Sequence, residues 1–188
     1  MFVTMKIEMI ITLMIFSERK PMEIERKFLI KNLPEDLSSY ECLTLEQAYL
    51  CTDPVVRIRR QNQDYYMTYK GKGLMVREEY NLPLNEQAYR HLLEKADGIV
   101  ISKKRYLIPI IKPSFRKGFP APVQSLELKI ELDIFEPPLA PLIIAEVEFP
   151  DEEMANAFLP PAWFSEDVTN DPRYHNSNIS KGIDSCGQ

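Results

Sequence analysis

Ionised residues two positions apart recur inside apolar runs of this chain: Glu23-Ile24-Glu25-Arg26-Lys27, Arg57-Ile58-Arg59, Arg77-Glu78-Glu79, Lys103-Lys104-Arg105, Glu131-Leu132-Asp133 and Glu146-Val147-Glu148. Side chains two apart on a strand share one face, so each segment presents its charges together. They are sorted by sign into carboxylate pairs and cation pairs, which a sheet face that merely met water would not need. Carboxylate pairs suit a hard divalent cation, held by one or two carboxylates plus phosphate oxygens. Arg and Lys suit a polyanion, the guanidinium binding oxygens in a two-pronged fashion. Glu23, Glu25, Glu146 and Glu148 are thus the metal candidates. The polyanion would fall to Lys27, Arg57, Arg59, Arg77, Lys103 and Arg105. A closed barrel with a charged lumen brings the two sets face to face.

The elements that must carry these pairs are legible as alternation and as β-branched or aromatic content. Strands are predicted at about 22–30, 43–50, 54–60, 64–70, 74–82, 99–108, 126–135 and 142–149. Eight strands suffice to close a barrel, and its first and last strands, with Glu23, Glu25, Glu146 and Glu148, would then be neighbours. Asn85 is placed to cap a helix with the apolar stripe Leu84, Ala88, Leu92 and Tyr89, Leu93, Ala96, ending at Gly98. Asp151 opens a shorter helix with Met154 and Phe158, stopped at Pro160-Pro161. Both are expected outside the barrel. Residues 109–124, with four prolines and a glycine, read as a loop whose Arg116 and Lys117 are solvated or guard a lumen mouth.

In order along the chain, Met22-Glu23-Ile24-Glu25-Arg26-Lys27-Phe28, Val56-Arg57-Ile58-Arg59, Thr68-Tyr69-Lys70-Gly71, Arg77-Glu78-Glu79-Tyr80, Lys103-Lys104-Arg105-Tyr106, Ile130-Glu131-Leu132-Asp133, Ala145-Glu146-Val147-Glu148-Phe149 and Asn170-Asp171-Pro172-Arg173-Tyr174 resemble the CYTH family, the triphosphate tunnel metalloenzymes. The resemblance opens on the ExExK signature and covers roughly residues 22–180. It implies an α+β, mainly antiparallel β fold: an eight-stranded closed β-barrel with helices packed outside and a C-terminal plug helix, capped by Asn176 or Ser177. It also implies a metal-dependent triphosphatase using Mg²⁺ or Mn²⁺ on a small-molecule triphosphate. Lys70 then joins the phosphate-binding cations, Glu79 supports them, and Glu131 and Asp133 are the catalytic pair, orienting the attacking water or a second ion. The family pattern continues after Glu79 with another Glu two residues on, where this chain has Asn81. Asn81 adds no charge, which leaves the preference between Mg²⁺ and Mn²⁺ open.

Hydrolysis of inorganic triphosphate is the expected activity. The alternatives are a class IV-type adenylate cyclase or a nucleoside or thiamine triphosphatase, with an organic group held by Tyr65, Tyr66, Phe115 or Trp163, and a non-catalytic polyphosphate-binding module. Neither His91 nor His175 is expected to do chemistry. The net charge of −5 over 188 residues argues against a nucleic-acid partner. Three unpaired-looking cysteines, Cys42, Cys51 and Cys186, point to a reducing, cytoplasmic setting. The apolar run Met9 to Phe16 is too short to span a bilayer, so no membrane role is expected. The expected organisation is an N-terminal extension over 1–21, the domain over 22–182 and a tail over 183–188, with a homodimer left open.

Overall fold

The computed structural model describes residues 22–119 and 127–182. The expected N-terminal extension and C-terminal tail lie outside the described residues, as do positions 120–126. Among the described residues no helix is long and apolar enough to cross a membrane.

Eight strands close on themselves: β1 (Met22–Ile30), β2 (Glu41–Thr52), β3 (Val55–Gln61), β4 (Asp64–Lys70), β5 (Val76–Leu84), β6 (Asp97–Ile110), β8 (Leu128–Phe135) and β9 (Ile143–Glu148). Round the wall the order is β1-β5-β4-β3-β2-β6-β8-β9 and back to β1. All neighbours are antiparallel. The closing seam sets Glu25 opposite Glu148 and Lys27 opposite Glu146. Along its other edge β1 pairs first with β5, Met22 to Ile24 facing Glu78 to Val76. It then pairs with the short β11 (Phe164–Asp167), with Phe28 opposite Asp167.

The wall is inverted relative to an ordinary globular domain. Glu23, Glu25 and Lys27 point inward, while Phe28, one position on, turns outward into a cluster with Ile130, Leu132, Val147, Phe149, Phe158 and Phe164. The main apolar core therefore lies outside the barrel. It is covered by α2 (Glu152–Ala157) and by the pair β7 (Ser114–Phe115) and β10 (Phe158–Leu159). Burying an aromatic side chain of this kind stabilises by about 1.5–3 kcal/mol. Arg26, also outward, fastens α2 by donating to the Ala155 carbonyl at 2.8 Å and the Phe158 carbonyl at 3.0 Å. A second cluster under α1 (Glu86–Leu93) holds Ala48, Ile58 and Tyr89.

Inside, one end of the lumen is sealed by apolar side chains: Ile101, Phe135 and Ile144 pack with Leu139 and with Ile179 of α3 (Asn176–Ile179). Gly98 explains how α3 comes so near. It sits at φ +72°, a Cβ there would fall 2.2 Å from the Ser180 carbonyl oxygen, and the next amide, Ile99, donates to that oxygen at 2.7 Å.

Both predicted helices are present outside the wall. Asn85 accepts from the Ala88 amide at 2.8 Å and Asp151 from the Met154 amide at 2.7 Å. Gly98 is not a helix stop: α1 ends at Leu93 and Gly98 belongs to β6. α2 ends at Ala157 because Phe158 turns extended to pair with Phe115, ahead of the prolines. The residue before α3 is His175, with no side-chain cap from Asn176 or Ser177. Part of the expected 109–124 loop is regular: Pro109 and Ile110 finish β6, and Ser114–Phe115 form β7.

Candidate active site

The alternation of eight strands delivers a lumen cavity of about 160 Å³, walled by Glu23, Glu25, Glu79, Glu131, Glu146 and Glu148 and by Lys27, Arg57, Arg59, Lys70, Arg77 and Arg105. Six acids face six bases, so the wall is formally neutral, and a polyanion entering it must bring cations along. Every candidate site residue named from the sequence is on this wall except Lys103 and Asp133. Those two lie beneath it, almost completely buried and paired with each other.

The wall charges hold one another. Lys27 Nζ reaches Glu25 at 2.9 Å and also pairs with Glu146. Burial works against this ammonium, but Glu146 and Glu25 outweigh it and raise its pKa. Lys70 contacts Glu23 at 2.5 Å and Glu79 Oε2 at 2.6 Å, the latter a charge contact without a hydrogen bond at that oxygen. Burial opposes ionisation of Glu79, yet Lys70 brings its carboxyl down to about 2. Arg77 donates to Glu23 at 3.0 Å and to Glu25 at 2.8 Å. Arg105 grips both oxygens of Asp133 at 2.6 Å, reaches Glu146 at 2.6 Å and pairs with Glu131. Glu146, buried between Lys27, Arg105 and Lys103, is held well below the usual carboxylate range despite its burial. Asn81 accepts from the Thr68 hydroxyl at 2.7 Å and donates to Glu79 at 2.8 Å, so it orients Glu79.

Two places depart from this pairing. Arg57 and Arg59 are buried, make no ion pair among the described residues, and each keeps a buried Nε with no acceptor. Arg59 reaches only neutral groups, Gln47 at 3.0 Å and the Tyr66 hydroxyl at 3.3 Å. Its pKa is pushed down by burial and then by Arg57. The other is Glu148, an exposed residue whose carboxyl is half-buried; that partial burial, and then Glu23, Glu131, Glu25 and Glu79, raise its pKa. A carboxylate crowded by others and without a cationic partner is a donor short of a cation. In the ligand-free arrangement no three Asp, Glu, His or Cys side chains among the described residues are gathered closely enough to hold an ion. Cations pair with Glu23, Glu25 and Glu146, and the donor set itself is all oxygen, which suits Mg²⁺ or Mn²⁺.

Five wall residues were given no role at the site from the sequence, Tyr49, Val55, His175, Asn176 and Ser177. Tyr49 shares its strand face with Gln47, and its buried hydroxyl accepts from Gln47 Nε2 at 3.3 Å. His175, Asn176 and Ser177 form the inner end. His91, by contrast, sits on α1 outside the barrel. Arg116 and Lys117 are exposed away from the cavity, where the Arg116 amide donates to the Ala157 carbonyl at 2.8 Å. Beside the open mouth a second cavity of about 540 Å³ is lined by Arg59, Tyr65, Tyr66, Glu79, Asn81 and Pro83, among others. Phe115 and Trp163 are packed in the outer core.

The sequence profile of the CYTH domain matches residues 21–155. The chain belongs to the CYTH family. This CYTH chain is 36% identical over 164 residues to an inorganic triphosphatase of Nitrosomonas europaea, covering 86% of the chain and 98% of the relative. It is 33% identical over 170 residues to an inorganic triphosphatase of Acetivibrio thermocellus, covering 85% and 93%. A crystal structure of an inorganic triphosphatase superposes with a TM-score of 0.61 at 34% identity, covering 86% of this chain and 95% of that one.

Proposed function

We propose that this CYTH protein is a divalent-metal-dependent inorganic triphosphatase working inside its tunnel, with Mg²⁺ or Mn²⁺ as the ion. The observation that carries the reading is the pair of buried guanidinium groups, Arg57 and Arg59, that face the lumen without a carboxylate. The identity to two relatives named inorganic triphosphatase, over most of the length of each, supports it.

In this reading phosphate oxygens complete Arg57 and Arg59, draw Lys27, Lys70 and Arg77 away from the acids they now pair with, and take Arg105 from Glu146 and Glu131 while it stays on Asp133. The carboxylates thereby released, Glu23, Glu25 and Glu146, together with Glu148, are the groups that would hold the metal. A bound divalent ion offsets phosphate charge and stabilises the charge that develops on the leaving oxygen. Glu131, on the cavity wall, takes a proton from the attacking water and passes it on to solvent. The water oxygen bonds to a phosphorus as its bridging P–O bond breaks, giving orthophosphate and diphosphate. Asp133 and Lys103 act from beneath by holding Arg105 in place.

A second reading rests on the mouth cavity, where Tyr65 and Tyr66 offer rings to an organic group on a nucleoside or thiamine triphosphate. Phosphate release from tripolyphosphate and from ATP, with and without Mg²⁺ or Mn²⁺, together with a cyclic AMP assay, separates the two. Metal-dependent turnover with a higher kcat/KM for tripolyphosphate is expected. Undiminished activity in excess chelator overturns the metal requirement, and a higher kcat/KM for ATP overturns the substrate.

A further inference from the structure

The inner end of the cavity carries three consecutive polar side chains that the ionic network leaves unused, His175, Asn176 and Ser177. Sealing the barrel does not require them, since Ile101, Phe135, Ile144 and Ile179 do so beneath. Polar groups at that depth are costly unless something binds them. Asn176 Oδ1 is buried with no donor, and an unsatisfied buried acceptor costs about 1–3 kcal/mol. The two ends of a carboxamide interchange by rotation, so the same side chain can turn its NH₂ donors to an anion. His175 is 6% exposed, and among the described residues its ring has one hydrogen-bond partner, the Thr169 carbonyl, 3.4 Å from Nε2. Burial, then Lys27 and Arg77, lower its pKa and favour the neutral ring, whose single N–H goes to the Thr169 carbonyl from Nε2 or, in the other tautomer, to an anion from Nδ1 without adding a charge.

The segment is fixed against the wall. The Lys27 amide donates to Thr169 Oγ1 at 3.0 Å, the Val168 amide to the Lys27 carbonyl at 2.9 Å, and the Ile99 amide to the Ser180 carbonyl at 2.7 Å. These tie it to β1 at a tunnel cation and to the start of β6. The inner polar face is thus a rigid stop at a set distance from Lys27.

We propose that His175, Asn176 and Ser177 form a cap that hydrogen-bonds the innermost phosphate and, being immovable, limits the length of polyphosphate that can bind productively. The inference rests on the triphosphatase reading and adds to it the residues that set chain length. The cap selects a linear inorganic polyphosphate by its end.

The test compares the wild type with Asn176→Asp, Asn176→Ala, His175→Ala and His175→Asn. For each, kcat and KM are measured on tripolyphosphate and tetrapolyphosphate, with metal-free tripolyphosphate binding by calorimetry and a thermal melt. Asn176→Asp keeps the shape but meets the phosphate with a charge, and should raise KM for tripolyphosphate about tenfold or more, the loss of roughly one charge-assisted hydrogen bond, with an unchanged metal titration. Asn176→Ala opens room and should raise the tetrapolyphosphate to tripolyphosphate ratio of kcat/KM several-fold. His175→Asn, which retains a donor, should bind more tightly than His175→Ala. Folded variants whose KM stays within about twofold of wild type and whose chain-length ratio is unchanged overturn the cap. Should the His175 variants fail to fold, the two Asn176 variants decide. A wild type that releases no phosphate from tripolyphosphate overturns the triphosphatase reading itself, whereas an active wild type with indifferent variants overturns the cap alone.

Discussion

Substituting Asp133 with Asn should damage the fold more than its place beneath the cavity suggests. Asp133 is wholly buried, pairs with Lys103 and receives two Arg105 hydrogen bonds at 2.6 Å. Removing one partner of a buried ion pair leaves an uncompensated charge and costs about 3–5 kcal/mol. The loss divides unequally. Arg105 retains Glu146 and Glu131, but Lys103 loses its ion-pair partner among the described residues and keeps a neutral amide oxygen, the more distant Glu146 and the Phe135 ring, 5.1 Å from its Nζ. We expect about 3 kcal/mol, a large part of the 5–15 kcal/mol typical of a domain and roughly 6–12 °C in melting temperature. Burial already lowers the Lys103 pKa to about 8 against the pull of Asp133, and without that carboxylate it falls further. The folded variant then holds Lys103 neutral while the unfolded chain keeps it protonated up to its ordinary 10.5. Wild-type Lys103 itself loses its proton above about 8, so the deficit should be greatest at neutral pH and below and shrink as pH rises through about 8, leaving the share due to Arg105. Urea unfolding of both proteins at about pH 7 and about pH 9.5 measures this directly. A loss under about 1 kcal/mol at neutral pH, or one that grows with pH, would refute the reasoning.

Glu148→Gln should weaken metal binding and cut turnover while triphosphate binding is kept or tightened, seen by titrating metal at fixed substrate and the reverse. Its ligand-free form should also melt modestly higher than wild type at neutral pH. The raised pKa of Glu148 makes its ionised form a cost above the ordinary carboxylate range, and the advantage should vanish on acidification as Glu148 takes up its proton. Arg59→Ala should raise KM for triphosphate and leave the metal requirement as it was. If Glu148→Gln weakened triphosphate binding as much as Arg59→Ala did, the division between metal and phosphate strands would be mistaken. Gly98→Ala should destabilise by about 1–3 kcal/mol and loosen the C-terminal segment, read as faster amide exchange at Ile99; unchanged exchange there would count against the close approach to Ser180.

The parity of the strands was readable because alternation is local. Glu23 and Glu25, Arg57 and Arg59, and Glu146 and Glu148 reach the inner face as their spacing requires. The height of each residue on the wall was not readable, since it depends on the stagger between strands rather than on any one of them. Lys103 and Asp133 have the right parity and still lie below the cavity. β2 and β6 run two residues further at each end than alternation predicts, because their ends are fixed by partners such as Leu107 opposite Glu41. Gly98 reads as a helix stop in isolation, whereas its reason is a carbonyl more than eighty residues away. The same distance hid His175, whose role depends on how the chain returns to the barrel and not on its neighbours in sequence.

Among the described residues a tunnel closed at one end by Ile101, Phe135, Ile144 and Ile179 opens at the other, and that makes the order of departure a property of architecture. In a blind passage what goes in last comes out first. The fragment cut nearer the mouth leaves freely, and the inner fragment waits behind it. Until that fragment clears, the passage is closed to the next molecule, so it competes with fresh substrate for the same space. Turnover at high substrate is then governed by how firmly the inner fragment is held, and every hydrogen bond that improves capture at the far end also slows the emptying of the tunnel.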